Sequence, residues 1–235
     1  ITFPTLLAFN YSPVLANVSN NIGLIPGSLT GAYGYRAELE GQRGRLLALG
    51  SASLLGGLLG AILLLVLPAG AFQAIVPVLV GIAVVMVPVQ PRLAKWVARR
   101  QARAAESVTL DMAPRRAAGR VGPVLWFLVF CTGLYGGYFG AAQGVLLIGL
   151  LGISLNDSLQ RVNAAKNVLA ALVNGIAAVV FILVSHVDWV VAGLIAGGSV
   201  LGGLIGARVG RKLPPWALRV VIVCVGVAAL AKLLA

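Results

Sequence analysis

The sequence predicts an all-α polytopic membrane protein made of two homologous helical repeats, inverted relative to each other, with glycine-broken or re-entrant helices. Three observations lead to this fold class: long apolar spans, basic connections between them, and an internal repeat. Hydrophobic residues make up 60% of the 235 residues and charged residues only 10%, whereas an average soluble domain carries about 25% charged residues. A soluble core has no room for this much apolar surface, so a lipid bilayer is the expected surrounding.

Apolar spans follow one another along the chain with short connections. They cover residues 11–35, interrupted by Pro26 and Gly27, then 44–67, 70–89, 124–153, 158–185, 190–209 and 216–234. The chain is therefore divided into a first membrane repeat, 1–91, a basic cytoplasmic linker, 92–121, and a second membrane repeat, 122–235. The net charge of +12 does not indicate nucleic-acid binding, because the basic residues lie between apolar spans, as is typical of cytoplasmic loops.

A single ungapped offset of 146 residues relates the two halves. The offset pairs polar residues that are rare in this chain, namely Asn10 with Asn156, Ser12 with Ser158, Asn17 with Asn163 and Asn21 with Asn167. It continues through the glycine pattern that begins at Ser53 and recurs from Ser199. Chance matches among Leu, Ala and Gly are common in an apolar chain, but four rare polar pairs are not. The pattern indicates an internal duplication.

The charges of the connections predict how the repeats are oriented. In the first repeat the connection 36–45 is basic and the next turn is neutral, whereas in the second repeat 185–188 lacks Lys and Arg and 208–219 is basic. Under the positive-inside rule this swap predicts inverted repeats, with an odd number of passes between equivalent points. The number of passes is odd if the glycine-rich segment enters the membrane and returns to the same side as two short halves. Parallel repeats with a basic outer loop are the alternative.

Glycines are concentrated at the start of the second repeat, at Gly133, Gly136, Gly137, Gly140 and Gly144. The absence of side chains there predicts a helix break whose backbone another group can approach closely. Tyr138 and Gln143 stand within this run. Both are candidates for lining a cavity, with packing among aromatic side chains as the alternative for the tyrosine.

The next segment predicts a helix with a polar stripe. Asn163, Asn167 and Asn174 recur at spacings of four and seven residues, so they share one helical face, and Lys166 lies beside it. If the helix begins near Asp157, Lys166 lies roughly 13 Å along it, near the middle of a hydrocarbon core of about 30 Å. A lysine at that depth indicates a functional site.

Lys166 is the predicted centre of an anion site, because no carboxylate lies within a helical turn of it. The predicted substrate-binding residues are Lys166, Asn163, Asn167, Asn174, Asn17, Asn21, Gln143 and Tyr138. The alternatives are hydrogen bonding between helices for the amides, and snorkelling or pairing with Asp157 for the lysine. Arg161, one turn inside the helix, is expected to snorkel to the membrane surface.

Motifs of other function classes are missing from the sequence. It has no paired carboxylates, metal-ligand spacing, GxSxG or phosphate-binding loop, so no enzyme activity, cofactor or metal is predicted. The expected partners are a small anionic substrate, the lipid bilayer and a coupling ion, either a proton or sodium; the residues indicate no oligomeric state. An anion-selective channel and a membrane-embedded scaffold without transport are the alternative functions.

The run GLYGGYFGAAQG is followed by an apolar stretch, the amide-rich helix and HVDW, which ends at Trp189. This order resembles the sulfite exporter TauE/SafE family, also called the 4-toluene sulfonate uptake permease family, and the GGLLGA and proline-turn pattern extends the resemblance over nearly the whole chain. The resemblance implies a secondary transporter of sulfite, a sulfonate or a related organosulfur anion in a bacterial-type cytoplasmic (inner) membrane. The first repeat lacks the glycine-rich start, so the native chain is expected to extend upstream of Ile1.

Overall fold

The computed structural model describes residues 2–68, 121–140, 143–155 and 157–209, together with isolated positions between 70 and 99 and positions 224 and 227. Every regular element in this part of the chain is helical. Most of the predicted basic linker and of the last predicted span, 216–234, lies outside the described residues.

Seven α-helices have described bounds: α1 (Thr2–Ala8), α2 (Pro13–Gly34), α3 (Arg43–Val66), α4 (Pro123–Tyr138), α5 (Gln143–Ser154), α6 (Leu159–Val184) and α7 (Trp189–Val209). A short 3₁₀ helix, Arg36–Leu39, joins α2 to α3. The break in the glycine-rich segment is present, since α4 ends and α5 begins within it.

Two of these helices are long and apolar enough to cross a membrane, by length and composition. They are α3, with a mean hydropathy of 2.2, and the stretch Gln160–Val184 of α6, with a mean hydropathy of 2.4. Large apolar side chains on both helices point outward, with Leu47 76% and Leu183 77% exposed. Extended apolar surface of this kind is typical of a protein surrounded by lipid.

The predicted interruption of α2 at Pro26 and Gly27 is wrong, because the helix continues through both residues to Gly34. A proline removes one backbone hydrogen bond, yet its fixed φ is helical. The carbonyl oxygen that loses its backbone donor is that of Ile22, four residues before the proline, while Thr30 Oγ1 donates to the Pro26 carbonyl oxygen. Gly27 serves packing, since a Cβ there would lie 2.9 Å from Cβ of Ser199 on α7.

Glycines allow α3 and α4 to pack at very short distance. A Cβ added to Gly56 would collide with the carbonyl oxygen of Phe130, and one added to Gly137 would collide with that of Gly57. This is the small-residue packing by which membrane helices approach each other closely. It holds the end of α4, where the helix breaks, firmly against α3.

Helix α6 lies at the centre, with α2, α3 and α5 packed against it, while α7 packs against α2. One apolar core joins the N-terminal helices to the far end of α6 around Phe3 and Phe181. A second core joins α3, α5 and α6 around Leu49, Leu151 and Leu169. The helix break and the polar face of α6 therefore both lie in the interior.

Candidate functional site

A cavity of about 490 Å³ lies between α2, α6 and α7, beside the start of α5. Four of its lining residues are among those predicted from the sequence, namely Gly144, Lys166, Asn167 and Asn174. The others are Leu24, Gly27, Ser28, Ala170, Ser199 and Gly202. Among the described residues, the lining contains one basic residue and no acidic residue, so the cavity is suited to an anion.

Lys166 reaches the cavity from the eighth residue of α6, about two turns after the helix begins. Gly144 faces the stem of this lysine, since a Cβ there would lie 3.5 Å from Lys166 Cδ. Among the described residues, Lys166 has no hydrogen bond and no salt bridge, because the carboxylate of Asp157 pairs with arginines instead. The ammonium group is therefore available to an anion in the cavity.

Two amides of α6 join the cavity wall to α2. Asn167 Nδ2 donates to the Gly31 carbonyl oxygen at 3.4 Å, and Asn174 Nδ2 donates to Ser28 Oγ at 3.4 Å. An amide nitrogen carries two hydrogens, so each asparagine keeps a second N–H beyond these bonds. The side chains can therefore fix α6 against α2 and still donate to a ligand.

Four of the predicted residues lie at the helix break and not in the cavity lining. The Nδ2 group of Asn17 donates to the carbonyl oxygen of Tyr138, the last residue of α4, at 2.9 Å. Asn21 lies one turn further along α2, and Gln143 begins α5. The residue between the two helices, Gly140, has a φ of +78°, a left-handed conformation that favours glycine. The predicted set is therefore divided between two places.

The remaining predicted residues have packing contacts. Gly136 contacts the side chain of Gln143. Gly133 faces the backbone of Ser53, since a Cβ added at Gly133 would lie 3.0 Å from the Ser53 carbonyl oxygen. Asn163 is partly buried on α6 and does not line the cavity. The glycines thus bring α3, α4 and α5 together around the break.

An ion-pair network that the sequence did not predict lies in front of α6. Asp157 pairs with Arg45 at 2.7 Å and with Arg161 at 2.8 Å. The guanidinium of Arg161, which was expected to snorkel, binds this carboxylate and also donates to the Glu40 carbonyl oxygen at 3.1 Å. The spacing of four residues between Asp157 and Arg161 could have indicated the pair, whereas no local signal identifies Arg45.

A second polar contact joins the loop before α2 to the start of α7. The Tyr11 hydroxyl donates to Asp188 at 3.2 Å, and the Asp188 carboxylate accepts hydrogen bonds from the backbone N–H groups of Val190 and Val191. The hydrogen bond to Asp188 and the negative charge of this residue raise the pKa of Tyr11 above its ordinary value. Asp188 is therefore a helix cap that also holds the neighbouring loop.

Three features define the class of this protein, namely apolar outward surfaces, a broken interior helix and a cavity lined by a lysine. It is a helical membrane protein. The family model described as "Sulfite exporter TauE/SafE" matches residues 1–233. The chain belongs to this family of membrane transporters, which confirms the resemblance predicted from the sequence. Comparisons with curated proteins and with solved structures gave no match.

Proposed function

We propose that the protein is a secondary transporter that moves a small anion across the cytoplasmic membrane by alternating access, and that the anion binds at Lys166. Sulfite, a sulfonate or a related organosulfur anion is the proposed substrate. The observation that carries the proposal is a lysine without a partner among the described residues, in a cavity with no acidic lining residue.

Placing the charge of Lys166 within an apolar helix carries a free-energy cost. A lysine near the centre of a bilayer is unfavourable by about 2.5–3.5 kcal/mol on insertion scales, so it persists where a cavity, a partner or a ligand offsets this penalty. An anion would accept charge-assisted hydrogen bonds from the ammonium group and a second N–H of Asn167. Gly144 lies in the first turn of α5, whose N-terminus adds positive partial charge.

The boundaries of the helices support the proposed duplication. Helices α2 and α6 begin at Pro13 and Leu159, and helices α3 and α7 begin at Arg43 and Trp189. Each pair is separated by the same 146 residues that relate the two halves of the sequence. Equivalent segments thus begin their helices at equivalent positions.

The packing of the helices also supports the duplication. Helix α3 packs against α6, and in reciprocal fashion α7 packs against α2. The hydrogen bond between Ser28 and Asn174 joins two residues that are 146 positions apart, so it links equivalent positions of the two repeats. A contact between equivalent positions is expected where a two-fold axis passes between two copies.

We further propose that the repeats 1–91 and 122–235 are inverted, with rocking of one repeat against the other exposing the anion to each side in turn. Labelling of single cysteines tests the orientation, in a background where Cys131 and Cys224 are replaced by serine. Arg43→Cys and Arg211→Cys should both be labelled from the cytoplasmic side. Labelling from opposite sides would mean that the repeats are parallel.

The anion site is tested by the thermal stability of the purified protein with sulfite, thiosulfate, sulfoacetate, taurine or anions without sulfur. A ligand at 100 times its Kd stabilises the folded state by about 2.7 kcal/mol, so the melting temperature should rise with the logarithm of the ligand concentration above its Kd. Lys166→Met should abolish this rise and also transport into proteoliposomes. Arg36→Met, which removes an exposed charge over the ring of Tyr33, should leave both unchanged. Unaltered transport by a folded Lys166→Met protein, or unitary conductance of a channel, would refute the proposal.

A further inference from the structure

Two amide oxygens at the helix break, Asn17 Oδ1 and Asn21 Oδ1, have no hydrogen-bond partner among the described residues. Both side chains are buried, with Asn17 0% and Asn21 3% exposed. Buried polar atoms in proteins nearly always have a partner, so each exception calls for a physical explanation. Neither residue lines the cavity at Lys166, so the anion does not supply one.

The orientation of the two amides is set by their surroundings. Asn17 uses its Nδ2 group to donate to the Tyr138 carbonyl oxygen at 2.9 Å, which leaves Oδ1 as the atom without a partner. Asn21 follows one turn later on the same face of α2. Its amide lies near the break, with Nδ2 3.7 Å from the place of a Cβ on Gly140. Two acceptor oxygens without a described partner therefore belong to amides that lie one turn apart on the face of α2 beside the break.

The break itself contributes more acceptors. The last carbonyl groups of an α-helix lack partners within the helix, and the C-terminus carries negative partial charge. At the end of α4, the Tyr135 carbonyl oxygen accepts from the backbone N–H groups of Phe139 and Gly140, so the chain turns sharply there. The Tyr138 carbonyl oxygen lies 2.9 Å from Asn17 Nδ2. The place of a Cβ on Gly140 is 3.3 Å from the Gly136 carbonyl oxygen and 3.7 Å from Asn21 Nδ2, so the C-terminus of α4 meets the amides of α2.

We propose that the helix break binds a sodium ion, with Asn17 Oδ1, Asn21 Oδ1 and backbone carbonyl oxygens at the end of α4 as ligands. Hard cations take several oxygen ligands of this carbonyl type. A cation would supply the partner that both buried amide oxygens lack. The Nε2 group of Gln143, a buried donor without a partner among the described residues, fits the oxygen of a water bound to the ion.

The neutrality of the ligands favours a monovalent ion. Helices α2, α4 and α5 contain no Asp or Glu, and the described residues hold no group of three or more His, Cys, Asp or Glu that could bind a metal. Without a carboxylate, nothing at the break offsets the desolvation of a doubly charged ion.

The two ends of one break would then serve two ions of opposite charge. The C-terminus of α4 faces the proposed cation, while Gly144 in the first turn of α5 lines the cavity of the anion. Both ions would lie beside the connection between α4 and α5, which gives a route for coupling. This coupling rests on the proposed function, whereas sodium binding itself does not.

Sodium binding is tested on the purified protein in the absence of any sulfur anion. The melting temperature is measured as NaCl replaces choline chloride or KCl at constant chloride and ionic strength. We expect the melting temperature to rise with the logarithm of the Na⁺ concentration above its Kd, and no rise with choline. A flat response to Na⁺ overturns the proposal, and an equal response to K⁺ overturns the assignment of sodium. Because no substrate is present, either failure leaves the anion site at Lys166 untouched.

Variants of α2 locate the ion. Asn21→Ala removes one ligand and should raise the Kd for Na⁺, obtained from the dependence of the melting temperature on Na⁺ concentration, at least about tenfold. Asn21→Asp adds a negative charge and should lower this Kd at pH 8. Asn20→Ala is the matched control, since Asn20 is buried on the same helix but accepts a hydrogen bond from Thr2. It should change the Kd less than about twofold. Equal effects of Asn20→Ala and Asn21→Ala, or weaker binding by a folded Asn21→Asp protein, would place the ion elsewhere.

Discussion

Helices α2 and α6 share two asparagines at equivalent positions, Asn17 with Asn163 and Asn21 with Asn167, yet they differ in charge and surroundings. Along the offset of 146 residues, α2 has Asn20 where α6 has Lys166. The asparagines of α2 are buried beside the helix break, with Asn17 0% exposed, while Asn167 of α6 lines the cavity. The residues that precede the helices differ as well, with Tyr11 before α2 and Asp157 before α6.

This difference indicates how one duplicated pattern can provide two kinds of site. Amides alone offer both donors and acceptors, so the surroundings decide which of them a ligand meets. Beside α2, the unpartnered atoms are oxygens and suit a cation. On α6, Lys166 adds a positive charge and suits an anion. Two identical copies would instead have two equivalent sites for the same ligand.

Removing the negative charge of Asp157, in front of α6, should have the largest effect on stability. The side chain of Arg45 is 8% exposed and pairs with Asp157 at 2.7 Å. Breaking a buried pair by removing one partner costs about 3–5 kcal/mol. Since water can reach this end of the helix, we expect Asp157→Asn to lose stability near the lower limit of this range. The melting temperature in differential scanning fluorimetry should fall by about 6–12 °C.

The matched control for this variant is Glu40→Gln. Glu40 is exposed and forms no salt bridge with a described residue, so its change should stay within about 0.5 kcal/mol. If Asp157→Asn and Glu40→Gln melt at the same temperature, the ion pairs in front of α6 contribute nothing to stability.

Exchanging Ser28 and Asn174 should have an intermediate effect and tests whether the two helices are related by a two-fold axis. Asn174→Ser alone removes the amide donor to Ser28 Oγ, and a typical hydrogen bond contributes about 0.5–1.5 kcal/mol. If an axis passes between the residues, Ser28→Asn combined with Asn174→Ser places the same groups in exchanged positions. The double variant should then regain most of the melting temperature that the single variant loses.

Additive losses in the double variant would contradict the two-fold relation. Such additivity is expected when two residues act independently, whereas residues in contact couple by about 0.5–3 kcal/mol. Ser51→Ala, which affects a hydroxyl group on α3 that is bonded to Trp126, is the control for loss of one serine hydrogen bond outside the cavity.

The helices were largely predictable because their signals are local. A span was predicted from Ser158, and α6 begins at Leu159 after Ser158 as its cap. The glycine run likewise predicted the break near Gly140. The error at Pro26 arose because a proline is a strong local signal, whereas the close approach of α7 to Gly27 depends on the surrounding structure.

The candidate site was predictable only within one helix. Spacing placed Asn167 and Asn174 on one face, and both line the cavity together with Lys166. Spacing within α2 does not determine which of its turns meets which neighbour, so Asn17 and Asn21 were assigned to the same site as the lysine. Contacts across many residues, such as the pair of Arg45 and Asp157, 112 positions apart, leave no trace in local sequence.

The smallest change in melting temperature is expected from breaking the contact between Tyr11, in front of α2, and Asp188. Hydrogen bonding to Asp188, followed by its negative charge, raises the pKa of Tyr11 above 10.0. The folded state therefore holds the phenol proton more tightly than the unfolded state, so this contribution to stability is fully present below pH 10 and is lost as the pH rises through the raised pKa. Tyr11→Phe should melt lower than the wild type at pH 8, by less than about 3 °C because the pair is exposed to water. That difference should shrink above pH 10, while Tyr35→Phe should match the wild type throughout. A gap between Tyr11→Phe and the wild type that stays constant up to pH 11 would show that the ring, and not its hydroxyl proton, accounts for the contact.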